Sequence, residues 1–211
     1  MKTSRFFVVL FFLVLTTLVC QGCIAAASTN EKAAEAEPSK SEQTLLERQV
    51  TAEEAYEKWR AAPDSVKVLD VRTLEEYLFV GHAPMSRNVP LYYQTEEWDA
   101  KKERFAMVPN LDFVYQVKQV ASVDETILVM CRSGTRSAKA ANMLANAGFK
   151  HVFNIEHGME GDAISDPDSV YQGQRLRNGW KNSGLPWTYK VDPERLPVTG
   201  SENTGPGVQK E

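Results

Sequence analysis

The sequence predicts an α/β domain built on a central, mainly parallel sheet with helices on its faces. Three observations support this fold class. Apolar runs of strand length alternate along the chain with segments of helical pattern, which is the order that parallel sheets require. At 211 residues the chain is long enough for one domain with a substantial core. Its hydrophobic content of 43% and charged content of 25% are those of an ordinary globular protein.

The first predicted helix begins at Thr51. This threonine suits the N-cap position, and Glu54 three residues later completes the pattern of a capping box. The helix is expected to run to about Arg60 and to end before the next proline. An apolar strand over residues 66–71 follows, and Thr73 starts a second, short helix.

The second half of the chain repeats this alternation. Residues 111–121 place apolar side chains at helical spacing, which predicts an amphipathic helix. A strand is predicted over residues 126–130, and an alanine-rich helix over residues 137–147 ends at Gly148. Residues 152–155 are the last strand candidate.

The N-terminal residues differ in composition from the rest of the chain. Lys2 and Arg5 precede an apolar stretch over residues 6–19, which is shorter than the roughly 20 residues of a membrane span. We therefore interpret residues 1–27 as a secretory signal peptide. The alternatives are an uncleaved membrane anchor and a lipoprotein signal with the lipid on Cys23. The expected localisation is the periplasm or cell envelope, and a lipid is the only membrane contact expected.

Two polar segments bound the predicted domain, which spans residues 49–190. Residues 28–48 are rich in Ala, Glu, Lys and Ser, which predicts a disordered linker. Residues 191–211 contain Gly, Pro, Ser and Thr and are predicted to form a disordered tail. The formal net charge of −4 gives no support for nucleic-acid binding. A monomer is expected.

The chain has 3 cysteines. Cys20 and Cys23 have the spacing of a redox motif, but they fall inside or beside the signal segment rather than in the folded domain. Cys131 is then the cysteine that remains after export. An unpaired thiol in an exported protein is more often reactive or shielded than structural.

Cys131 opens a short loop, residues 131–137, between a predicted strand and a predicted helix. Backbone N–H groups and the positive end of the helix dipole converge at such a junction, and this field favours the nucleophilic thiolate. Arg132 and Arg136 add positive charge, so we expect the loop to bind an anion. The other residues expected to contact that anion are Ser133, Gly134, Thr135 and Ser137.

Several motifs together resemble the rhodanese family of sulfurtransferase domains, over about residues 51–187. The first block comprises Leu69-Asp70-Val71-Arg72, Glu75-Glu76-Tyr77, Gly81-His82-Ala83 and Asn88-Val89-Pro90. The second block is the loop over residues 131–137, which is similar to the family's active-site loop. The third comprises Gly148-Phe149, Val152-Phe153-Asn154 and Gly158-Met159. The resemblance implies a rhodanese-like, three-layer α/β fold.

The resemblance also implies the chemistry. Cys131 would carry a persulfide, loaded by a small anionic donor such as thiosulfate and emptied by a thiol or cyanide acceptor. Arg132 and Arg136 would bind the donor's oxygens, and the loop's N–H groups would stabilise the persulfide. No cofactor and no metal are implied.

Other residues of the first block are expected to support the fold. Asp70, Arg72 and Glu76 are predicted to form a buried polar network. His82 follows a glycine turn and is predicted to be structural, with general-base catalysis as the less favoured role.

Two other functions are compatible with the same resemblance. A non-catalytic module would carry sulfur, or bind a partner, without turning over small acceptors. A phosphatase or arsenate reductase would use the same fold, but phosphatases of this fold have five residues between the cysteine and the arginine. Here four residues separate Cys131 from Arg136, which disfavours that function.

The chain departs from the family pattern after its last predicted strand. His157 replaces the first glycine of a paired-glycine turn, and Asp162 replaces a tryptophan. A Gly-Trp pair then occurs late, so residues 163–178 are interpreted as an insertion. We predict that it forms a rim over the persulfide site, with Arg175 or Arg177 helping to select an acceptor. A tolerated surface loop is the alternative.

Overall fold

The computed structural model describes residues 44, 45 and 47–197. The predicted signal segment with Cys20 and Cys23 lies outside these residues, as do most of the predicted linker and the tail beyond residue 197. Among the helices of the described part, none is long and apolar enough to cross a membrane. The expectations for the N-terminus stay predictions.

The described chain folds into the predicted α/β architecture. Its strands are β1 (Gln49–Val50), β2 (Val66–Asp70), β3 (Arg87–Asn88), β4 (Tyr92–Asp99), β5 (Arg104–Pro109), β6 (Thr126–Met130), β7 (His151–Ile155), β8 (Asp162–Ala163) and β9 (Arg175–Arg177). Its helices are α1 (Ala52–Ala61), α2 (Leu74–Phe79), α3 (Phe113–Lys118), α4 (Thr135–Asn146) and α5 (Gly179–Asn182). One sheet has the order β1-β7-β6-β2-β3, and every neighbouring pair in it is parallel. The prediction of a mainly parallel sheet is confirmed.

Helices cover both faces of this sheet and give the domain three layers. On one face, Leu144 of α4 is buried in a cluster with Val129 of β6. On the other face, Trp180 of α5 is buried with Met130 of β6. Successive side chains of a strand point to opposite faces, so β6 contributes to both cores. Cys131 follows Val129 by two residues, so its side chain lies on the same face and belongs to the core on the α4 side.

The two helix starts predicted in the first half are present. Thr51 caps α1 and Thr73 caps α2. Each threonine hydroxyl accepts a hydrogen bond from the N–H three residues later. The glutamate at that position, Glu54 or Glu76, accepts in return from the threonine N–H at 3.0 Å. Both capping boxes therefore form as the sequence predicts.

The helix predicted over residues 111–121 is shorter than expected. α3 starts two residues later, and Leu111 is 93% exposed although the pattern placed it on the apolar face. The side chain of Asn110 accepts a hydrogen bond from the N–H of Asp112 at 3.0 Å. This local turn takes the place of the first predicted helical residues. Phe113, rather than Leu111, supplies the first buried side chain.

An antiparallel hairpin of β4 and β5 lies where the sequence pattern predicts no element. Its side chains are exposed or half-buried along both strands, so neither face is fully covered by the core. The alternation of apolar and polar residues that reveals a half-buried strand is consequently missing. Trp98 and Phe105 contact each other across the hairpin, with ring centroids 5.4 Å apart.

Packed residues extend past both predicted boundaries of the domain. In the predicted linker, the N–H of Leu45 donates to Oδ1 of Asn142 at 2.6 Å. In the predicted tail, Arg195 lies in a 3-10 turn and donates to the carbonyl of Met85 at 2.8 Å. Hydrogen bonds therefore join these described residues to the domain, and the disorder expected for the two segments stays a prediction.

Candidate active site

Cys131 lies directly after β6, at the carboxyl edge of the parallel sheet, and α4 begins at Thr135. The cysteine thus occupies the strand-to-helix junction that the sequence predicts. It is 1% exposed and is the free cysteine of the described residues. Its thiol is therefore shielded from bulk solvent.

Two hydrogen-bond donors lie close to the sulfur of Cys131. The N–H of Gly134 donates to Sγ at 3.2 Å, and Oγ of Ser137 lies 3.4 Å from Sγ. Oγ of Ser137 is also 2.8 Å from the carbonyl oxygen of Gly134. A hydroxyl has one proton, so Ser137 donates either to this carbonyl or to the sulfur. Both donors stabilise a negative charge on the sulfur when they point at it.

The first turn of α4 offers further donors. A helix leaves its first N–H groups without acceptors inside the helix. Within the described part of the protein, no backbone carbonyl accepts from the N–H of Thr135 or Arg136. The positive end of the α4 dipole lies at the same position. The loop and the helix start therefore bring N–H groups and the positive end of a helix dipole together beside Cys131; binding of an anion there stays a prediction.

The other loop residues differ in exposure. Arg132 and Thr135 are exposed, Ser133 is half-buried and Gly134 is buried. Gly134 has a φ of 100°, which glycine adopts without strain and which turns the chain from the loop into α4. Among the described residues, no group of three or more His, Cys, Asp or Glu side chains is placed to hold a metal ion.

A tight turn after β7 holds the backbone of the loop. The N–H groups of Met159 and Glu160 donate to the carbonyls of Cys131 and Arg132 at 2.7 and 2.9 Å. Gly158 precedes them with a φ of 56°, and a Cβ atom there would lie 2.3 Å from the carbonyl oxygen of Cys131. Only glycine permits this approach. The turn therefore fixes the direction in which the chain leaves Cys131.

Arg136 is paired with Glu76, the residue that is also predicted to belong to a buried polar network with Asp70 and Arg72. Nη1 and Nη2 of Arg136 donate to the two carboxylate oxygens of Glu76 at 2.7 and 2.6 Å. Burial acts to raise the pKa of Glu76, but the hydrogen bonds and charge of Arg136 outweigh it and lower the pKa. Burial likewise acts to lower the pKa of Arg136, and Glu76 outweighs it, so that pKa is raised. The carboxylate thus fixes the guanidinium beside the loop; donor binding by Arg136 stays a prediction.

The Glu76–Arg136 pair makes a testable contribution to acid stability. The pKa of Glu76 is lower in the folded protein than its ordinary 4.5, so the ionised carboxylate stabilises the fold above about pH 4.5. This contribution is lost as the pH falls through the lowered folded value. We expect Glu76→Gln to reduce the free energy of unfolding by about 2 kcal/mol near neutral pH. In urea unfolding, the difference in free energy of unfolding between Glu76→Gln and the wild type should shrink below about pH 4.5. A difference that stays constant with pH contradicts the lowered pKa of Glu76.

A buried ion pair supports the neighbouring end of β2. Nη2 of Arg72 donates to Asp70 at 2.7 Å and to the carbonyl of Gly81 at 2.8 Å, and both charged side chains are fully buried. Nδ2 of Asn88 donates to the carbonyls of Asp70 and Arg72, each at 3.0 Å. These contacts hold the strand end next to β6; the supporting role of Asp70 and Arg72 stays a prediction.

Comparison with known proteins assigns the family of this fold and site. The model of the rhodanese-like domain matches residues 51–163, which is more than half of the chain and includes Cys131, Asp70 and Arg72. The chain belongs to the rhodanese-like domain family. The resemblance drawn from the sequence motifs is therefore confirmed.

Individual relatives agree with this assignment. The uncharacterised protein RP600 of Rickettsia prowazekii is 30% identical over 123 residues, which cover 58% of this chain and 82% of that protein. Thiosulfate sulfurtransferase 18 of Arabidopsis thaliana is 36% identical over 92 residues, which cover 43% of this chain and 61% of that protein. The crystal structure of Rv0390 from M. tuberculosis matches with a TM-score of 0.53 and 25% identity, covering 67% of this chain and 97% of that one. The rhodanese-like family and the Arabidopsis relative support a sulfurtransferase-like class of protein.

His82 is buried in the core of this rhodanese-like domain. Its ring stacks on Tyr77, with ring centroids 3.8 Å apart, and Nδ1 lies 3.0 Å from the carbonyl oxygen of Tyr77. Its backbone N–H and carbonyl pair with Thr188 at 2.9 and 2.8 Å. These contacts tie both the ring and the backbone of His82 to the domain; its structural role stays a prediction.

The two residues that depart from the rhodanese pattern contact each other. Nδ1 of His157 lies 3.0 Å from Oδ2 of Asp162, and Nδ2 of Asn178 donates to the same oxygen at 2.7 Å. After the insertion the chain returns at Trp180, which is fully buried. The contact between His157 and Asp162 therefore lies at the base of the inserted segment. Trp180, the later tryptophan, lies in the core.

Sequence reasoning missed two features of the rhodanese-like site. The pairing of Glu76 with Arg136 joins residues 60 positions apart, so no local pattern shows it. The sequence did single out Gly158, the glycine that approaches the Cys131 carbonyl, because Gly158 belongs to a family motif. That motif does not say which backbone the glycine approaches.

Proposed function

We propose that this protein is a sulfurtransferase that carries sulfane sulfur on Cys131 from an anionic donor such as thiosulfate to cyanide or a thiol. The observation that carries the proposal is the environment of Sγ, which faces the Gly134 N–H and Ser137 Oγ beside the free first turn of α4. Membership of the rhodanese-like family and the name of the Arabidopsis relative support the same class of reaction.

The first half-reaction loads the cysteine. The thiolate of Cys131 attacks the outer sulfur of thiosulfate, the S–S bond of the donor breaks, and sulfite leaves with its electron pair. A new S–S bond joins Sγ to the transferred sulfur, which carries the negative charge. The N–H groups of Gly134, Thr135 and Arg136 are the donors available to that charge. Arg132 is exposed beside them and suits the donor's oxygens.

The second half-reaction removes the transferred sulfur from Cys131. An acceptor thiolate or cyanide attacks the outer sulfur, the bond between that sulfur and Sγ breaks, and Sγ leaves as a thiolate. No external oxidant or reductant is needed in either step. Ser137 is placed to stabilise this thiolate, because its hydroxyl can turn from the Gly134 carbonyl and donate to Sγ.

Thiocyanate formation from thiosulfate and cyanide tests the proposal. Purified protein is expected to turn over with both substrates and to be inactive when either is omitted. Persulfide loading without turnover to cyanide would favour a dedicated sulfur carrier instead. Cys131-dependent hydrolysis of a phosphate ester, or reduction of arsenate, would replace the sulfurtransferase with the enzyme classes that the four-residue loop spacing disfavours.

We also propose that the protein is exported to the periplasm or cell envelope. The basic and apolar N-terminal pattern supports export, and the burial of Cys131 limits contact with oxidants outside the cytoplasm. The mass of the mature protein purified from its native host tests this. A new N-terminus near residue 28 indicates soluble export, a lipid on Cys23 indicates anchoring, and an intact N-terminus contradicts cleavage.

A further inference from the structure

Glu160 places an acidic residue next to the backbone of the Cys131 loop. Its N–H donates to the carbonyl of Arg132 at 2.9 Å, and the residue before it, Met159, donates to the carbonyl of Cys131 at 2.7 Å. The Glu160 side chain is 20% exposed, so solvent and small solutes reach part of it. The two half-reactions proposed above give this carboxylate no role.

The carboxylate of Glu160 is only loosely paired. Oε1 lies 3.8 Å from Nη1 of Arg72, and both atoms are buried and have no hydrogen-bond partner within the described part of the chain. Arg72 is already bonded to Asp70 at 2.7 Å. A charge-assisted hydrogen bond at that distance is stronger than an ion contact without one. Arg72 therefore neutralises Asp70 first and balances Glu160 only in part.

Glu160 also lies within electrostatic reach of the arginine assigned to the donor's oxygens. Burial raises the pKa of Glu160, and the charges of Arg72 and Arg132 act against that rise. Arg132 is exposed, whereas Arg136 is already bonded to Glu76. The charged groups that reach Glu160 lie after β2, on α2, in the loop, on β9 and on α5: Arg72, Glu76, Arg132, Arg175 and Lys181. The charge of Glu160 therefore offsets part of the positive charge at the loop.

The inserted segment contributes one of these cations. Arg175 on β9 is half-buried, and its guanidinium donates to the carbonyl of Gly161, the residue after Glu160. Arg177 is exposed and pairs with Asp162 in the register of β8 and β9. Arg175 thus has a structural contact at the turn that holds the loop. Selection of an acceptor by either arginine stays a prediction.

We propose that Glu160 determines the charge of the preferred sulfur donor, because its ionised carboxylate disfavours dianionic thiosulfate relative to a singly charged thiosulfonate. The proposal rests on the proposed sulfurtransferase function and names a residue that sets its donor class. A carboxylate repels a dianion about twice as strongly as a monoanion bound at the same place. Protonation of Glu160 removes this repulsion, so thiosulfate gains more from it than the thiosulfonate does.

Both donors load Cys131 by the same step. The thiolate attacks the outer sulfur and the S–S bond of the donor breaks. Sulfite leaves from thiosulfate, or a sulfinate from the thiosulfonate, with the electron pair of that bond. Glu160 forms and breaks no bond in this step. Its effect is confined to the strength with which the two donors are bound at the loop.

The test measures the first half-reaction alone, without an acceptor. Wild type, Glu160→Gln, Glu160→Asp and Glu125→Gln are mixed with thiosulfate or methanethiosulfonate between about pH 5 and pH 8. Quenched-flow mass spectrometry gives the second-order rate constant of persulfide formation for each donor. The ratio of the two constants, thiosulfate over methanethiosulfonate, cancels the ionisation of Cys131, which both donors share. Glu125 is the matched control: it is half-buried, contacts Lys67 at 3.3 Å and lies at the opposite end of β6 from Cys131.

We expect Glu160→Gln to raise this ratio about threefold near pH 8, the effect of one unit charge acting across partly solvated protein. The wild-type ratio should rise towards the Glu160→Gln value as the pH falls and Glu160 is protonated, whereas the ratio in Glu160→Gln should not change with pH. Glu160→Asp keeps the charge and should stay near the wild type, and Glu125→Gln should match the wild type.

Three results would overturn the role of Glu160 and leave the sulfurtransferase standing. They are a wild-type ratio in Glu160→Gln, a pH dependence of the ratio that persists in that variant, and a ratio in Glu160→Asp equal to that of Glu160→Gln. The second would assign the pH dependence to another group, and the third would assign the effect to side-chain length rather than charge. Failure of the wild type to form a persulfide with either donor would overturn the proposed function as well.

Discussion

Cys131→Ala is expected to abolish thiocyanate formation from thiosulfate and cyanide, because no other described side chain can hold the transferred sulfur at the start of α4. The loss should be complete within the detection limit, since the nucleophile itself is removed. Alanine leaves a small cavity in the core on the α4 side, so we expect the free energy of unfolding to fall by about 1 kcal/mol. Steady-state assays and urea unfolding of the same preparations separate the two effects.

Cys131→Ser and Ser137→Ala are the matched variants for this prediction. Serine at position 131 keeps a group that accepts from the Gly134 N–H but is a poor sulfur nucleophile, so it should be as inactive as alanine. Ser137→Ala removes a hydroxyl 3.4 Å from Sγ and keeps the thiol, so it should slow transfer and not eliminate it. Residual Cys131-independent turnover in the alanine variant would disprove the assignment of the nucleophile.

Arg72→Met is expected to be the most destabilising single substitution in the domain. Arg72 is fully buried and forms an ion pair with Asp70, whose charge would be left in the core without its counter-ion. Removing one member of a buried ion pair costs about 3–5 kcal/mol. Burial acts to lower the pKa of Arg72, and Asp70 outweighs it and raises that pKa, which shows how closely the two charges depend on each other. Urea unfolding measures the loss.

A double variant gives the control for Arg72. Asp70→Leu combined with Arg72→Met removes both charges, so it should recover part of the stability that Arg72→Met loses. The recovery will be incomplete, because Nη2 of Arg72 also donates to the carbonyl of Gly81. A double variant less stable than Arg72→Met would show that the role of Arg72 is not mainly to neutralise Asp70.

Local sequence patterns predict those parts of the fold that short-range physics determines. The capping boxes at Thr51 and Thr73 depend on residues three positions apart, and both form. β6, the strand that precedes Cys131, is apolar from Ile127 to Met130 because helices cover both of its faces. The junction that holds Cys131 could therefore be read directly from the sequence.

Features that depend on distant residues could not be read in this way. Glu76 shows the signal of a capping residue, which it is, but its second partner, Arg136, comes from another helix. The hairpin of β4 and β5 has no buried face and hence no periodic pattern. The hydrogen bond from Arg175 to the Gly161 carbonyl also joins residues 14 positions apart, and no local pattern shows it.

The most direct measurement is the mass of Cys131 before and after sulfur transfer. The protein is incubated with thiosulfate, freed of donor, digested and analysed by mass spectrometry, with and without a final cyanide treatment. We expect a gain of about 32 Da on the Cys131 peptide, the mass of one transferred sulfur atom on a nucleophilic cysteine. Cyanide should remove it and release thiocyanate in equal amount. An unmodified Cys131 peptide, or sulfur on another residue, would contradict the persulfide mechanism.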